Sequence, residues 1–460
     1  MKLNPKTNDA YRLLHDGALA LARAEQQGIR LDEAYAKRKH FQLSKKIEIL
    51  EAKFRKSTFC EEWRLSIGGK SPNIYSNAQL SYFLYKIKKL RPASATQSGQ
   101  GSTDEDSLSQ LNIPELDILL QIRKLKKIRD TYLEGFVREA VDGIIHPSFN
   151  LHLVRTFRSS SDRPNFQNIP KRDKEAMMIC RKALFPRPNH QLIEVDLSGA
   201  EVRIAACYHQ DPTMIKYIND PTTDMHADMA SQLFMIDHFD KSLPEHKYLR
   251  SATKNGFVFP QFYGDYYKNC AENMAHKWGK LSKGRWKSGQ GIAMPNGSLS
   301  DHLISKGIKS LEAFETHVKK IEDDFWGRRF RVYAKWKDRW YARYLRYGYV
   351  DLFTGFRCSG IMSRNDSINY PIQGTAFHCL LFILTALDKE IFRNGWESRI
   401  ISQVHDSIII DVEPRELSLI INTIKYITAV DLPKTWNWIN VPIEMAIETA
   451  EVNRSLAYIK

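Results

Sequence analysis

The stretch RIISQVHDSIIIDVE, residues 399–413, sets a histidine and an acid between two apolar runs. Both flanks are rich in isoleucine and valine, β-branched types that suit a pleated surface, so two strands turning at His405 and Asp406 are expected. Tight two-residue hairpins favour Asn-Gly, Asp-Gly or other glycine-containing pairs because they need positive φ, and His-Asp brings no such relief. Turn propensity therefore does not select this pair. An acid solvated at a sheet end is one account, and an acid held there for chemistry is the other.

The composition narrows the partners. The chain has 460 residues, enough for a substantial core and several domains, and its 68 Lys and Arg against 53 Asp and Glu give a formal charge of +15. Such an excess favours a polyanion. Nucleic acid is expected over membrane, since the sequence is read as having neither an apolar run of about 18 residues nor a signal-peptide core. The six cysteines are scattered without a CxxC pair, so no disulfide framework or structural zinc site is expected, and a reducing cytoplasm fits.

Residues 8–56 alternate apolar and charged positions at helical spacing, with a break at 28–32 that separates two helices. RPASATQSGQGSTDEDS (91–107) reads as a flexible loop with solvated acids. LDILLQIRKLKKIRDTYL (116–133) reads as an amphipathic helix whose polar face carries Arg123, Lys124, Lys126, Lys127 and Arg129. In HQLIEVDLSGAEVRIAACY, Leu192 to Val195 read as a strand and Ser198 as the start of a helix, which puts Asp196 at the strand end. A mostly helical region follows to about residue 395 before the strands return.

Two acids, each at the edge of an apolar strand and 210 positions apart, suit two-metal phosphoryl transfer. Carboxylates from separate strands can hold two Mg²⁺ ions about 3.5–4 Å apart, as in nucleases and polymerases. Charge alone leaves both open. The order of the motifs resembles the family A DNA polymerases: DLSGAEVRIAA is similar to the first palm motif, RSATKNGFVFPQFYG to the fingers helix, NYPIQGTA to the element at the primer terminus, QVHDSIII to the last palm motif, and TFRSSSDRPNFQNIP to an upstream motif.

The resemblance implies an α+β right-hand polymerase fold with an antiparallel palm sheet and largely helical thumb and fingers. The expected division is a palm-associated segment at 1–24, thumb at 25–138, palm at 139–202 and 399–460, and fingers at 203–398. It also implies roles. Asp196, Asp406 and Leu197 would hold two Mg²⁺ ions, with Mn²⁺ as a substitute. Arg250, Lys254 and His226 would bind the triphosphate, with Lys254 also protonating the leaving pyrophosphate. Phe259 and Tyr263 would meet the sugar and base, and Glu201 would be the steric gate against a ribose 2′-hydroxyl. Arg158, Asn369, Gln373 and His405 would touch the primer end, and Arg123 and Lys127 the duplex backbone.

Each has a structural alternative: a helix N-cap for Asp196, a solvated basic stripe for Arg250 and Lys254, a core histidine for His226, core packing for Phe259 and Tyr263, and a surface acid for Glu201. The basic run 276–289, interleaved with Trp278 and Trp286, is either a platform for single-stranded template or a solvated loop.

The sequence departs from the family pattern in three places. Five residues separate Lys254 from Phe259 where the family has four, which a π-bulge or an earlier helix start would absorb, and Phe262 becomes a rival of Tyr263. Ser407 stands where most members have a third acid. The chain opens almost at the thumb, so no proofreading exonuclease segment is expected. The expected activity is template-directed extension of a DNA primer with dNTPs, in phage or plasmid replication, alongside a separate exonuclease, helicase-primase or processivity factor. A single-subunit RNA polymerase and an inactive nucleic-acid-binding module are the alternatives; Glu201 and QNIP argue against the first, the retained acids and Arg250/Lys254 against the second.

Overall fold

The strands expected around His405 form an antiparallel hairpin, Arg399–Val404 with Ser407–Val412, in which Val404 pairs Ser407. A computed structural model of the chain describes residues 7–92, 94–96, 98–171 and 173–460. Positions 1–6 of the expected N-terminal segment, and residues 93 and 97 of the expected loop, lie outside the described residues.

The hairpin is half of a four-stranded, wholly antiparallel sheet. Its order is Arg399–Val404, Ser407–Val412, Gln191–Leu197, Met445–Thr449. Gln191–Leu197 is central, and six of its seven residues are buried. It therefore reads as a nearly continuous apolar run rather than a half-wet alternating strand. Successive side chains point to opposite faces, so the sheet divides two cores. Ile193, Val195, Ile408, Ile410 and Val412 join the helices of the larger core, while Leu192, Val404 and Ile409 join a smaller core around Phe54, Trp63, Phe83 and Phe136.

The smaller core belongs to the region after the first break. Helices Thr7–Gln27 and Glu33–Arg55 flank the short strand Ile29–Leu31, with Asp32 capping the second by accepting a hydrogen bond from the Tyr35 amide at 2.8 Å. Such caps satisfy an amide that helix geometry leaves unpaired. Pro114–Lys126 continues as a wider turn over Lys127–Glu134 and buries Leu116, Leu119, Ile122 and Leu125 at helical spacing. The loop at 91–107 is more structured than its composition suggests. Its acids are exposed, as expected, and two of them also have partners: Asp104 caps a helix at Glu105–Ser109, and Asp106 pairs with Lys277 at 3.0 Å.

The larger core is built around the 30-residue helix Arg364–Arg393, which starts at a Ser363/Asp366 capping box. This helix corrects the expectation of no long apolar run: by length and composition it could cross a membrane. Its most apolar window is 78% buried inside the protein, which is the setting of a core helix. Gly374 marks its closest approach to the chain before Arg158, since a Cβ there would lie 2.3 Å from the Thr156 carbonyl oxygen. All six cysteines are buried and unpaired.

Candidate active site

Asp196 and Asp406 meet at one end of the central sheet. Ser407 pairs directly with Asp196, Ala446 flanks it on the other side, and the Leu197 amide donates to the Asp406 carbonyl at 3.0 Å. The strand runs through Asp196 to Leu197, and the next helix, Ala200–His209, starts after Gly199 at φ 60° with no side-chain cap. The N-cap alternative for Asp196 is thereby excluded. His405 takes φ 52°, a left-handed conformation that costs energy for a residue with a Cβ. Gln403, fully buried, donates to the His405 carbonyl at 2.5 Å and accepts from Ser159 and from Gln167, the latter at 3.1 Å. The neighbouring packing, not turn propensity, holds this hairpin.

Each of the two acids has one basic neighbour, and neither is in close contact with it. Burial pushes the Asp196 carboxyl up to about 6, and Asp406, Glu194 and Glu448 push the same way, while Lys171 opposes them at 4.0 Å. Arg158 lies 3.7 Å from Asp406. Paired carboxylates whose cations stand about 4 Å off suit divalent metal ions, and Leu197, next to Asp196, brings a backbone carbonyl oxygen that could serve as a further ligand. The acid expected in most relatives after Asp406 is absent, but Glu194 lies on the same face of the sheet as Asp196. It accepts from Ser407 Oγ at 2.9 Å, pairs with Arg181 at 3.2 Å and with Lys171 at 2.8 Å, and is buried. These partners hold its carboxyl below the usual range despite burial.

Glu201, in the first turn of the Ala200–His209 helix, joins two expected neighbours: one carboxylate oxygen takes Arg158 and the other takes the Tyr263 hydroxyl. Burial and the charge of Glu201 push the Tyr263 phenol upward, so it stays a donor. Phe262 instead packs in an aromatic cluster with Phe325, Trp326, Phe330 and Tyr333. Of the two rivals, Tyr263 is the one that faces the acids.

The five-residue spacing has a direct structural outcome. Helix Pro244–Thr253 passes into a π-helical turn at Lys254–Val258, where the Phe259 amide bonds the Lys254 carbonyl. The wider turn takes up the extra residue and leaves Arg250, Lys254 and Phe259 on one side. Lys254 lies 5.2 Å from the Phe259 ring centre, and His226 meets that ring edge-on at 5.9 Å. Burial, then Arg250 and Lys254, lower the His226 imidazole to about 4, so it is neutral, and its Nδ1 is buried without a partner. Arg250 is held by Asp224 at 2.9 Å, with Lys241 at 3.2 Å from the same acid. An anion arriving here would compete with Asp224 for Arg250.

Asn369 and Gln373 lie one turn apart on the long helix, both half-buried, and His405 is exposed at the hairpin tip. Arg123 and Lys127 diverge. Arg123 donates to the Thr103 carbonyl at 2.8 Å, while Lys127 is exposed. Lys124, Lys126 and Arg129 of the same polar face are paired with Asp173, Asp130 and Asp130. The template-platform reading of Trp286 is corrected: that ring is 4% exposed, packs on Phe314 and donates to the Ser282 carbonyl. Trp278 packs beside Tyr248. Sequence reasoning missed Lys171, which directly follows QNIP, and Gln403, which sits inside QVHD; neither residue type signals a role by itself.

The comparisons place this geometry. The family model described as DNA polymerase family A matches residues 39–279 and 350–454. The chain belongs to that family. It is similar to DNA polymerase I of Caldicellulosiruptor bescii (26% identical over 377 residues, 78% of this chain and 39% of that one). It is also similar to DNA polymerase I of Lactococcus lactis (28% over 357 residues, 76% and 36%) and to the DNA polymerase of Bacillus phage SP01 (25% over 384 residues, 79% and 37%). The chain thus spans less than half the length of these relatives. The fold matches the polymerase domain of Pol1 from M. smegmatis, solved in complex with DNA primer-template and dNTP, with a TM-score of 0.73 over 97% of this chain and 70% of that one, at 24% identity. The architecture is the α+β right-hand polymerase fold.

Proposed function

We propose that this chain is a template-directed DNA polymerase that adds deoxynucleotides to a primer 3′-hydroxyl. The observation that carries the reading is the meeting of Asp196 and Asp406 at one sheet end, beside Glu201, Tyr263 and Arg158. Family membership and the primer-template and dNTP bound to the structural relative support it. The thumb, palm and fingers bounds expected from the sequence are kept as part of the proposal.

Asp196, Asp406 and the Leu197 carbonyl would hold two Mg²⁺ ions, with Mn²⁺ as a substitute, which when bound supply activation of the 3′-hydroxyl and stabilisation of charge on the triphosphate. The other steps belong to the chain. Arg250 and Lys254 bind the phosphates, His226 presents a neutral imidazole to them, and Lys254 delivers a proton to the departing pyrophosphate. Phe259 and Tyr263 bound the sugar and base, and Glu201 fills the space a 2′-hydroxyl would need. Arg158, Asn369, Gln373 and His405 meet the minor-groove edge of the terminal pair, where acceptors are similar for every Watson-Crick pair, so shape is checked without reading sequence. Lys127 and, through its loop, Arg123 follow the duplex backbone.

The finer setting, phage or plasmid replication in a bacterial cytoplasm, is supported by the likeness to the phage enzyme and by six unpaired thiols. Primer extension with Mg²⁺ tests the reading. The wild type is expected to extend and Asp406→Asn to lose about a thousandfold or more in rate; extension that survives the substitution would reject the paired-acid assignment. Glu201→Ala is expected to admit ribonucleotides about 10- to 100-fold better.

A further inference from the structure

Lys171 follows the QNIP turn, and that turn is anchored from both sides. The Tyr132 hydroxyl of the thumb helix donates to the Asn168 carbonyl at 2.6 Å, and Gln167 donates to Ser159 at 2.8 Å and to Gln403 at 3.1 Å. The amine it delivers sits 2.8 Å from Glu194 and 4.0 Å from Asp196. Glu194 already has a buried cation, Arg181, on its other oxygen at 3.2 Å and a hydroxyl donor in Ser407 at 2.9 Å. One acid with two cations leaves a surplus positive charge, and the nearest acid able to use it is Asp196.

We propose that Lys171 is a positioning cation for the metal site: it neutralises Asp196 when no divalent ion is bound and so sets how tightly the site takes one. This inference rests on the two-metal reading above. Glu194 and Ser407 form its socket. Glu194 stands two positions before Asp196 on the same face, and Arg181 offsets much of its charge in the interior, so its main part here is to hold the lysine. Lys171 is half exposed on its outer side, which lets the amine swing from Asp196 as an ion arrives while Glu194 retains it. Arg158 stands in the same relation to Asp406, at 3.7 Å, so each acid has one basic neighbour. The direct consequence is an affinity for divalent ions below that of the same acids without the lysine, because like charges a few ångströms apart repel.

Binding of Mn²⁺ alone to the DNA-free full chain, followed by electron paramagnetic resonance of free Mn²⁺ at pH 7.5, tests this. Lys171→Met is expected to bind Mn²⁺ about five- to tenfold more tightly than the wild type at low salt, with the gap narrowing as ionic strength rises. Lys171→Arg, which keeps the charge, is expected to match the wild type. If Lys171→Met binds no tighter while Asp196→Asn abolishes binding, the lysine has no such role and the metal site stands. If neither Asp196→Asn nor Asp406→Asn weakens binding, the two-metal reading itself falls and this inference with it. Thermal melts of Lys171→Met in EDTA separate the effect from misfolding; a melting temperature within about 2 °C of wild type is expected for a half-exposed side chain.

Discussion

Ser407 lies directly opposite Asp196 in the palm sheet, and its hydroxyl turns to Glu194 at 2.9 Å. The site therefore keeps two facing acids at the sheet end and places a third carboxylate behind them, where Arg181 and Lys171 neutralise it.

The first consequence is a pH dependence of stability. The Asp196 carboxyl rests at about 6, above its ordinary value of 3.8, so the folded chain holds a proton that the unfolded chain has released between roughly pH 4 and 6. Its favourable contribution is complete below about pH 4 and lost as pH rises through 6. Without divalent ions, Asp196→Asn is expected to melt higher than the wild type at pH 7.5, the difference vanishing near pH 4. The gain stays below about 1 kcal/mol because the side chain is partly solvated and screened. Melting curves in EDTA across pH 4–8 check it; a constant difference at all pH values would contradict the assignment.

Phe262 and Tyr263 are adjacent but do different work. Phe262→Ala removes a ring from the Phe325, Trp326, Phe330, Tyr333 cluster and is expected to cost about 2–4 kcal/mol of stability. Tyr263→Ala is expected to leave the denaturation midpoint nearly unchanged and to raise KM for dNTP about tenfold. Urea titration paired with steady-state kinetics separates them, and the reverse pattern would exchange their roles.

Gly374 sits where the long helix crosses the segment leading to Arg158. A methyl group there would lie 2.3 Å from the Thr156 carbonyl oxygen and 2.7 Å from Leu352 Cδ2, and the first of these is backbone that cannot swing away. Gly374→Ala is expected to destabilise by about 1–3 kcal/mol and to displace Arg158 from Glu201 and Asp406. Chemical denaturation together with extension from a matched primer terminus would reveal both effects.

The helix Pro114–Lys126 and the turn that continues it offer a contrast between two cations. Lys127→Ala is expected to weaken duplex binding equally for all sequences and to reduce the slope of log affinity against log salt by about 1. Arg123 is bonded to the Thr103 carbonyl, so Arg123→Ala is expected to loosen the loop at 102–107 and cost about 1 kcal/mol of stability, with a smaller change in salt slope. Fluorescence anisotropy with two unrelated duplexes over a salt series distinguishes the cases.

Much of this was legible in one dimension. The β-branched runs around His405 and Asp406, the spacing of Arg250 and Lys254 and the acid at the end of LIEVD depend on local propensity and periodicity, which act over a few residues. The motif order further implied the fold. Other features had no local signal. Trp286, set among lysines, looks like a stacking surface, yet the core takes it; Asp104 and Asp106 are exposed as their glycine-rich stretch suggests, but nothing local tells that one caps a helix and the other crosses to Lys277. The π-turn at Lys254–Val258 was one of two outcomes allowed by a single extra residue, and only packing against the neighbouring helices selects it.

The sequence by itself determined which residues could do chemistry here: two acids at strand ends, a basic pair four apart, aromatic residues after them and a surplus of positive charge for a polyanion. The tertiary structure alone decided which of them meet. Asp196 faces Ser407 because of register across strands more than 200 residues apart, Tyr263 rather than Phe262 reaches Glu201 because of how the helix turns, and Lys171 comes to Asp196 because the QNIP turn is pinned between Tyr132 and Gln403. Contacts of that kind arise from burial and strand pairing between distant segments, and local sequence preferences carry no record of them.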